Sequence, residues 1–276
     1  MLKTRVLTAV VLLPLVLGLL FAGSDVAWTA FATALALLAA WEWSRLCGFS
    51  AGGVLAYQAV SAAIGLALAA LWHLDPPRFA LAAQASYVAA AGFWIVAVPM
   101  WLSHRLRPPP PVAGLAGFLV VWPMWAAIVE LRSASPWILL AIAALVWIAD
   151  IAAYFAGRRF GRTKLAPAIS PGKTWEGVAG ALAAVLAYGI LLDVLAHSRT
   201  IVLSPFFDGP GGALAIAAML ALAGLSVLGD LFESWMKRGA GRKDSSSLLP
   251  GHGGVLDRID ALTSTLPVAA LLVSFA

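Results

Sequence analysis

The stretch Ser234–Asp260, reading SWMKRGAGRKDSSSLLPGHGGVLDRID, lies between two apolar runs and gathers the polar chemistry that most of the chain lacks. It holds the cations Lys237, Arg238, Arg242, Lys243 and Arg258, the carboxylates Asp244, Asp257 and Asp260, and a Gly-His-Gly-Gly turn at Gly251–Gly254. Phosphate wants donors and cations while a divalent metal wants anionic oxygens, so the combination suits a polyphosphate and its metal. A bare charge run reads equally well as a solvated loop between helices. The glycines and the carboxylate spacing argue for more. Asp230, Glu233 and Lys237 recur at three and four positions, which lines one face at the end of a helix, and Asp257 and Asp260, three apart, open the next helix in the same way. Two helix ends thus aim carboxylates at a common site able to hold one or two Mg²⁺ ions. Capping by Asp257, or ion pairs with Arg258 and Lys237, explains one carboxylate but not the set. His252 reads as a phosphate donor, and Gly251, Gly253 and Gly254 as places where backbone can approach phosphate closely.

Two further constellations precede it. In Trp147-Ile-Ala-Asp150-Ile-Ala-Ala-Tyr154 the four-residue spacing puts Asp150 and Tyr154 on one helix face, and a carboxylate in such apolar company is costly without a task or a partner. The segment Gly157–Gly177 then collects Arg158, Arg159, Arg162, Lys164 and Lys173 around Ser170-Pro171-Gly172-Lys173-Thr174. Such a turn entering a helix offers backbone N–H groups, two hydroxyls and an ammonium to a phosphate. It is not the P-loop pattern, because Pro167 stands where that motif needs its first glycine.

The elements that must carry these residues are membrane helices. Apolar residues make up 62% of the chain and charged residues 11%, with a mean hydropathy of +0.93, far from the roughly 25% charged of a soluble domain. Apolar segments of membrane length fall at 5–22, 26–46, 54–72, 79–101, 112–131, 136–157, 176–196, 212–234 and 259–276. The fold expected is therefore all-α and polytopic, with nine transmembrane helices: 1–135 a set of scaffold helices, 136–276 the chemical half, in one continuous membrane domain. The first run, behind Lys3 and Arg5, reads as a retained anchor because Phe21-Ala-Gly-Ser-Asp25 leads straight into another span. Alternating the loops between sides puts every lysine and arginine except Arg78, Arg132 and Arg199 on the side of the N-terminus, which the positive-inside rule makes cytoplasmic. The net charge of +5 thus speaks for orientation and anionic lipid rather than nucleic acid. Cys47, the single cysteine, gives no disulfide framework. Trp41, Glu42, Trp43, Glu130 and Arg132 read as interfacial anchors or ordinary pairs, Pro108–Pro111 as a rigid linker after Arg105 and Arg107, and the loop at 197–210 with Pro205, Phe206, Phe207 and Gly209 as chemically poor. No internal repeat supports an inverted-repeat transporter.

The run Ser234, Met236, Lys237, Arg238, Lys243, Asp244, Ser246, Leu249, Pro250, His252, Gly253, Gly254, Val255, Asp257, Arg258, Ile259 and Asp260 resembles, at these spacings, the C-terminal motif of phosphatidate cytidylyltransferases, or CDP-diacylglycerol synthases. Asp150, Tyr154, Gly157–Lys164, Ser170–Gly177 and Gly229-Asp230 with Glu233-Ser234 resemble the family's other motifs, so the detailed likeness covers about 147–260. The resemblance implies attack of the phosphatidic acid phosphate on the α-phosphorus of CTP, giving CDP-diacylglycerol and pyrophosphate at the cytoplasmic face of the bacterial inner membrane. It implies Asp230, Asp257 and Asp260 as metal ligands for one or two Mg²⁺, with room for a monovalent cation, and Lys237 and Lys243 beside them as catalytic cations. Asp150, Tyr154, Ser170, Lys173, Ser234, Arg238, His252, Gly253, Gly254 and Arg258 are then substrate-binding. CTP, phosphatidic acid and membrane lipid are the implied partners, and homodimer contacts have room in the first half.

Three other classes share parts of this pattern. A CTP-dependent lipid kinase would use the γ-phosphorus instead. A CDP-alcohol phosphotransferase needs a Gly-x-x-Ala-Arg continuation after its aspartates, which Asp257-Arg-Ile-Asp260 lacks. A transporter would spread its charges through the midplane rather than cluster them at one face.

Overall fold

A computed structural model describes residues 2–104, 108–197 and 211–275. Arg105, Arg107, Arg199 and the loop residues Pro205, Phe206, Phe207 and Gly209 lie outside the described residues. Among the described residues the regular elements are helices and one small hairpin: α1 (Leu2–Ala22), α2 (Asp25–Leu46), α3 (Ala51–Leu74), α4 (Pro76–Gly92), a π-helical turn (Phe93–Ala97), α5 (Val98–His104), α6 (Pro110–Ala134), α7 (Pro136–Phe160), β1 (Lys164–Ala166), β2 (Ser170–Thr174), α8 (Trp175–His197), α9 (Gly211–Gly239) and α10 (Leu256–Val273). Among the described residues, seven helices are long and apolar enough to cross a membrane: α2, α3, Pro76–His104, α6, α7, α8 through Ala196, and α9. The expected membrane-protein architecture is there.

Local chemistry explains most boundaries. Ser24, Ser50, Asp75 and Ser135 accept from backbone N–H groups at the starts of α2, α3, α4 and α7, and prolines stand in the first turn of α4, α6 and α7. The proline run is accordingly less of a linker than expected, since Pro109 caps α6 and Pro110 and Pro111 already belong to it. The span expected at 79–101 carries an unforeseen π turn. Pro99 has no N–H to return to Ile95 and its ring crowds that carbonyl, so the helix widens just before it. Phe93 and Trp94 turn inward there and pack on Phe232 of α9, with ring centroids 5.6 and 5.5 Å away.

The core is organised around α6 and α10. α10 touches α2, α4, α6, α7 and α9, and its residues from Thr263 through Ala270 are all buried. Its first five residues include Asp257, Arg258 and Asp260, so it is not among the seven apolar helices, although 259–276 reads as a span. Inside a bilayer, lipid tails are as apolar as leucine, so helix pairing rests on close approach and interhelical hydrogen bonds. Ser264 on α10 donates to the Leu225 carbonyl of α9 at 2.8 Å. A Cβ on Gly229 would stand 2.7 Å from the Asp260 carbonyl oxygen, so only glycine allows α9 and α10 to meet there. The Trp43 indole donates to Ala113 O at 2.8 Å and that of Trp28 to Ile128 O at 3.2 Å, fastening α2 along α6. At the far end Arg132, expected as an anchor or ordinary pair, does more. It pairs with Asp25 at 2.8 Å and donates to the Leu20 and Gly23 carbonyls, closing the end of α1.

Candidate active site

The polar ends of α2, α7, α9 and α10 meet on one side of the bundle. On α9 the predicted three-and-four spacing yields a connected row. Ser234 donates to Asp230 at 3.3 Å, and the Lys237 ammonium lies 2.5 Å from Glu233 and 2.6 Å from Asp257. Lys237 therefore ties the end of α9 to the start of α10. Glu233 is only 2% exposed, and a buried carboxylate of this kind needs such a cation.

Asp257 is the most heavily engaged of the predicted carboxylates. Oδ1 takes Lys237, while Oδ2 accepts from Ser245 N at 2.9 Å, Ser245 Oγ at 2.9 Å and Gly254 N at 2.7 Å. It stands ahead of the apolar part of α10. Its burial alone would raise its carboxyl, but Lys237 and the backbone donors outweigh that and hold it below the usual carboxylate range. Asp260, one turn on, accepts from its neighbour Ala261 N at 2.8 Å and feels the charges of Asp230, Lys237 and Asp150. Asp150 on α7 feels those of Asp230 and Lys173. Three helices thus bring Asp150, Asp230 and Asp260 within electrostatic reach of one another.

Asp150 and Tyr154 share a face as the spacing predicts, and both are exposed on it. Arg158, a further turn along, donates to the Tyr154 hydroxyl at 3.0 Å. The Ser170–Thr174 segment is corrected in form. It is strand β2, antiparallel to β1, and not a turn. Thr174 is spent on the helix that follows, accepting from Gly177 N at 3.1 Å, and Thr163 N turns to the Glu176 carboxylate at 3.1 Å. What the hairpin delivers to the site is Lys173, whose ammonium reaches Asp230 at 2.6 Å. Ser170 lies half-buried on the same strand. Arg238, exposed, comes back to the hairpin through a contact with Ile169 O at 3.4 Å.

The glycine turn closes on itself: Leu249 N donates to Gly253 O and His252 N to Leu249 O, each at 2.8 Å. Gly251 and Gly253 have φ of 76° and 81°, a conformation that side chains resist. Arg258 donates to the His252 carbonyl at 2.9 Å, and the His252 Nδ1 is buried without a hydrogen-bond partner among the described residues. The space beside Gly254, expected to admit phosphate, is filled by protein. A Cβ there would lie 2.0 Å from Ser245 Oγ and 2.4 Å from Glu42 Oε1. Lys243 is exposed on the loop ahead of this turn.

Glu42 is the residue that sequence reasoning passed over. Near the end of α2 and 0% exposed, it accepts from Ser246 Oγ at 2.5 Å, Val255 N at 2.9 Å, Leu256 N at 2.6 Å and Ser245 Oγ at 3.1 Å. The signal was there in a carboxylate between two tryptophans at the end of an apolar run. The cost argument applied to Asp150 applies equally to it.

Among the described residues no three carboxylates, imidazoles or thiolates close around one point. The donors nevertheless suit Mg²⁺, which is commonly held by one or two carboxylates with waters and substrate phosphates completing its shell. Asp230 and Asp260, from facing helix ends, fit that pattern, with Asp150 within reach of both. Asp257, with both oxygens already engaged, fits it less directly.

Residues 3–276 match the model of the cytidylyltransferase family. Several proteins named phosphatidate cytidylyltransferase are similar along nearly their whole length. That of Pseudomonas aeruginosa is 40% identical, over 99% of this chain and 97% of its own. The Haemophilus influenzae protein is 37% identical over 97% and 96%, and that of Brucella suis 40% identical over 99% and 93%. With the family match running from the third residue to the last, the chain belongs to the cytidylyltransferase family.

Proposed function

We propose that the protein makes CDP-diacylglycerol from phosphatidic acid and CTP. A phosphate oxygen of phosphatidic acid forms a bond to the α-phosphorus of CTP, the bond from that phosphorus to the β-phosphate oxygen breaks, and pyrophosphate leaves. The observation that carries the reading is the meeting of Lys173, Asp230, Lys237, Asp257 and Asp260, from β2, α9 and α10, at one end of a bundle of membrane helices. The nucleophile is already anionic near neutral pH, so the chief task is to overcome repulsion between two phosphates and to steady the leaving group. Lys173 exchanges its contact with Asp230 for a nucleotide phosphate, while Lys243 and Arg258 gather the others. His252 offers its imidazole, half-buried with Nδ1 turned inward, and Arg238 flanks the hairpin. Asp230 and Asp260 would hold Mg²⁺, which neutralises phosphate charge when bound. Asp257 orients Lys237 and the glycine turn.

Placement in the bacterial inner membrane, with nine crossings and the site on the cytoplasmic side, belongs to the same proposal. It is supported by the basic residues that share the site's end of the bundle. On α1, Thr8 donates to Pro250 O of the site loop at 3.2 Å, while the Arg132–Asp25 pair lies at the opposite end. The acyl chains of the substrate stay in lipid while its headgroup meets soluble CTP.

The test supplies purified protein with phosphatidic acid and CTP labelled at the α- or γ-phosphorus. The α-label should enter lipid, pyrophosphate should form in step with it, and a chelator should stop both. Entry of the γ-label would instead make the protein a lipid kinase.

A further inference from the structure

We propose that Glu42 is a positioning residue for this reaction, whose carboxylate fixes the first turn of α10 from outside and so sets the aim of Asp257 and Asp260. The assignment rests on the cytidylyl-transfer reading. A helix start leaves backbone N–H groups without partners, and Val255, the N-cap of α10, has no side-chain oxygen to satisfy them. Glu42 supplies both oxygens from α2, one to Val255 N and one to Leu256 N. The same carboxylate takes the Ser246 hydroxyl, which pins the chain entering the turn.

The link to chemistry is direct. Ser245 Oγ stands 3.1 Å from Glu42 and 2.9 Å from Asp257, so two carboxylates share one hydroxyl. Gly254 is gripped from both sides in the same way: its N–H goes to Asp257, and its missing side chain leaves the room that Glu42 and Ser245 occupy. Any displacement of Glu42 is therefore passed to Asp257 through Ser245 and Gly254. Glu42 is not needed to hold α2 in the bundle. Trp28 and Trp43 donate from α2 to carbonyls of α6, and Trp125 of α6 donates to Thr33.

Glu42→Gln keeps the shape but turns an NH₂ group towards one pair of these donors. In the purified full-length protein, amide hydrogen exchange at 245–256 should quicken about tenfold, the factor set by one lost charge-assisted hydrogen bond. Exchange in α2 and α6 should stay as it was. kcat should fall about tenfold or more while KM for CTP moves far less, the mark of misaligned reacting groups rather than lost binding. Glu42→Asp should restore part of kcat. Should Glu42→Gln fail to accumulate, Ser246→Ala removes one of the same donors without touching α2 and should shift exchange and kcat in the same direction, by less. Unchanged exchange at 245–256, or loosening of α2 and α6 with full kcat per folded molecule, overturns the proposal. A wild-type protein that moves no α-label sinks the reaction instead, and the exchange measurement then still decides whether Glu42 holds the turn.

Discussion

Lys237 stands between two carboxylates that come from different helices, and Asp257 has other donors whereas Glu233 leans on this cation. Glu233 is 2% exposed. Removing the shared cation leaves that carboxylate buried and unpaired, the situation in which breaking an ion pair is most costly. Lys237→Met should therefore destabilise the detergent-solubilised protein by about 3 kcal/mol or more and abolish transfer of the α-label. Thermal unfolding beside the activity assay checks both, and a variant of native stability would show that Glu233 has another partner. Spacing alone made Asp230, Glu233 and Lys237 one face, since three and four positions bring side chains together on any helix. It could not show that Lys237 reaches across to Asp257, because the turn between them is set by Glu42, roughly 200 positions away in the chain.

At the scale of elements, apolar length announced the helices well, because a bilayer admits little else and serine or proline marks most starts. The hairpin was illegible for a local reason. Ser-Pro-Gly favours turns, and five residues paired with three neighbours leave too little alternation to read as strands. The contact between α9 and α10 was equally hidden, although it decides where the two acidic helix ends sit. Gly229 is its pivot: a methyl group there would stand 2.5 Å from Ser264 Oγ and 2.7 Å from the Asp260 carbonyl, and the second of these is backbone that cannot swing away. Gly229→Ala should cost about 1–3 kcal/mol, the usual range for overpacking, and separate Asp230 from Asp260. Turnover should fall, with the Mg²⁺ concentration needed for half-maximal rate rising, since the two carboxylates would no longer converge. Native stability with native Mg²⁺ dependence would show that the helices relax without moving the site.

For the whole molecule, the division into a scaffold half and a chemical half followed from where the motifs lie, and the packing crosses it. α10 carries Asp257 and Asp260 but is walled by α2, α4 and α6, and the start of α10 is capped by Glu42. Without α2, α4 and α6 the start of α10 loses the Glu42 carboxylate from its backbone N–H groups, and Thr263, Ser264 and Thr265 lose much of the protein that surrounds them. The fragment 136–276 should therefore be inactive and cleared from the membrane when produced alone. Co-production of 1–135 should restore both its accumulation and the transfer of α-label to lipid. The break falls beside Pro136, the first residue of α7, so that no helix is cut. Rescue by 1–135 carrying Glu42→Gln should return accumulation without returning the full rate, which separates the wall that the first half builds from the aim that it gives. Activity in 136–276 by itself would mean that the site is assembled by the second half alone.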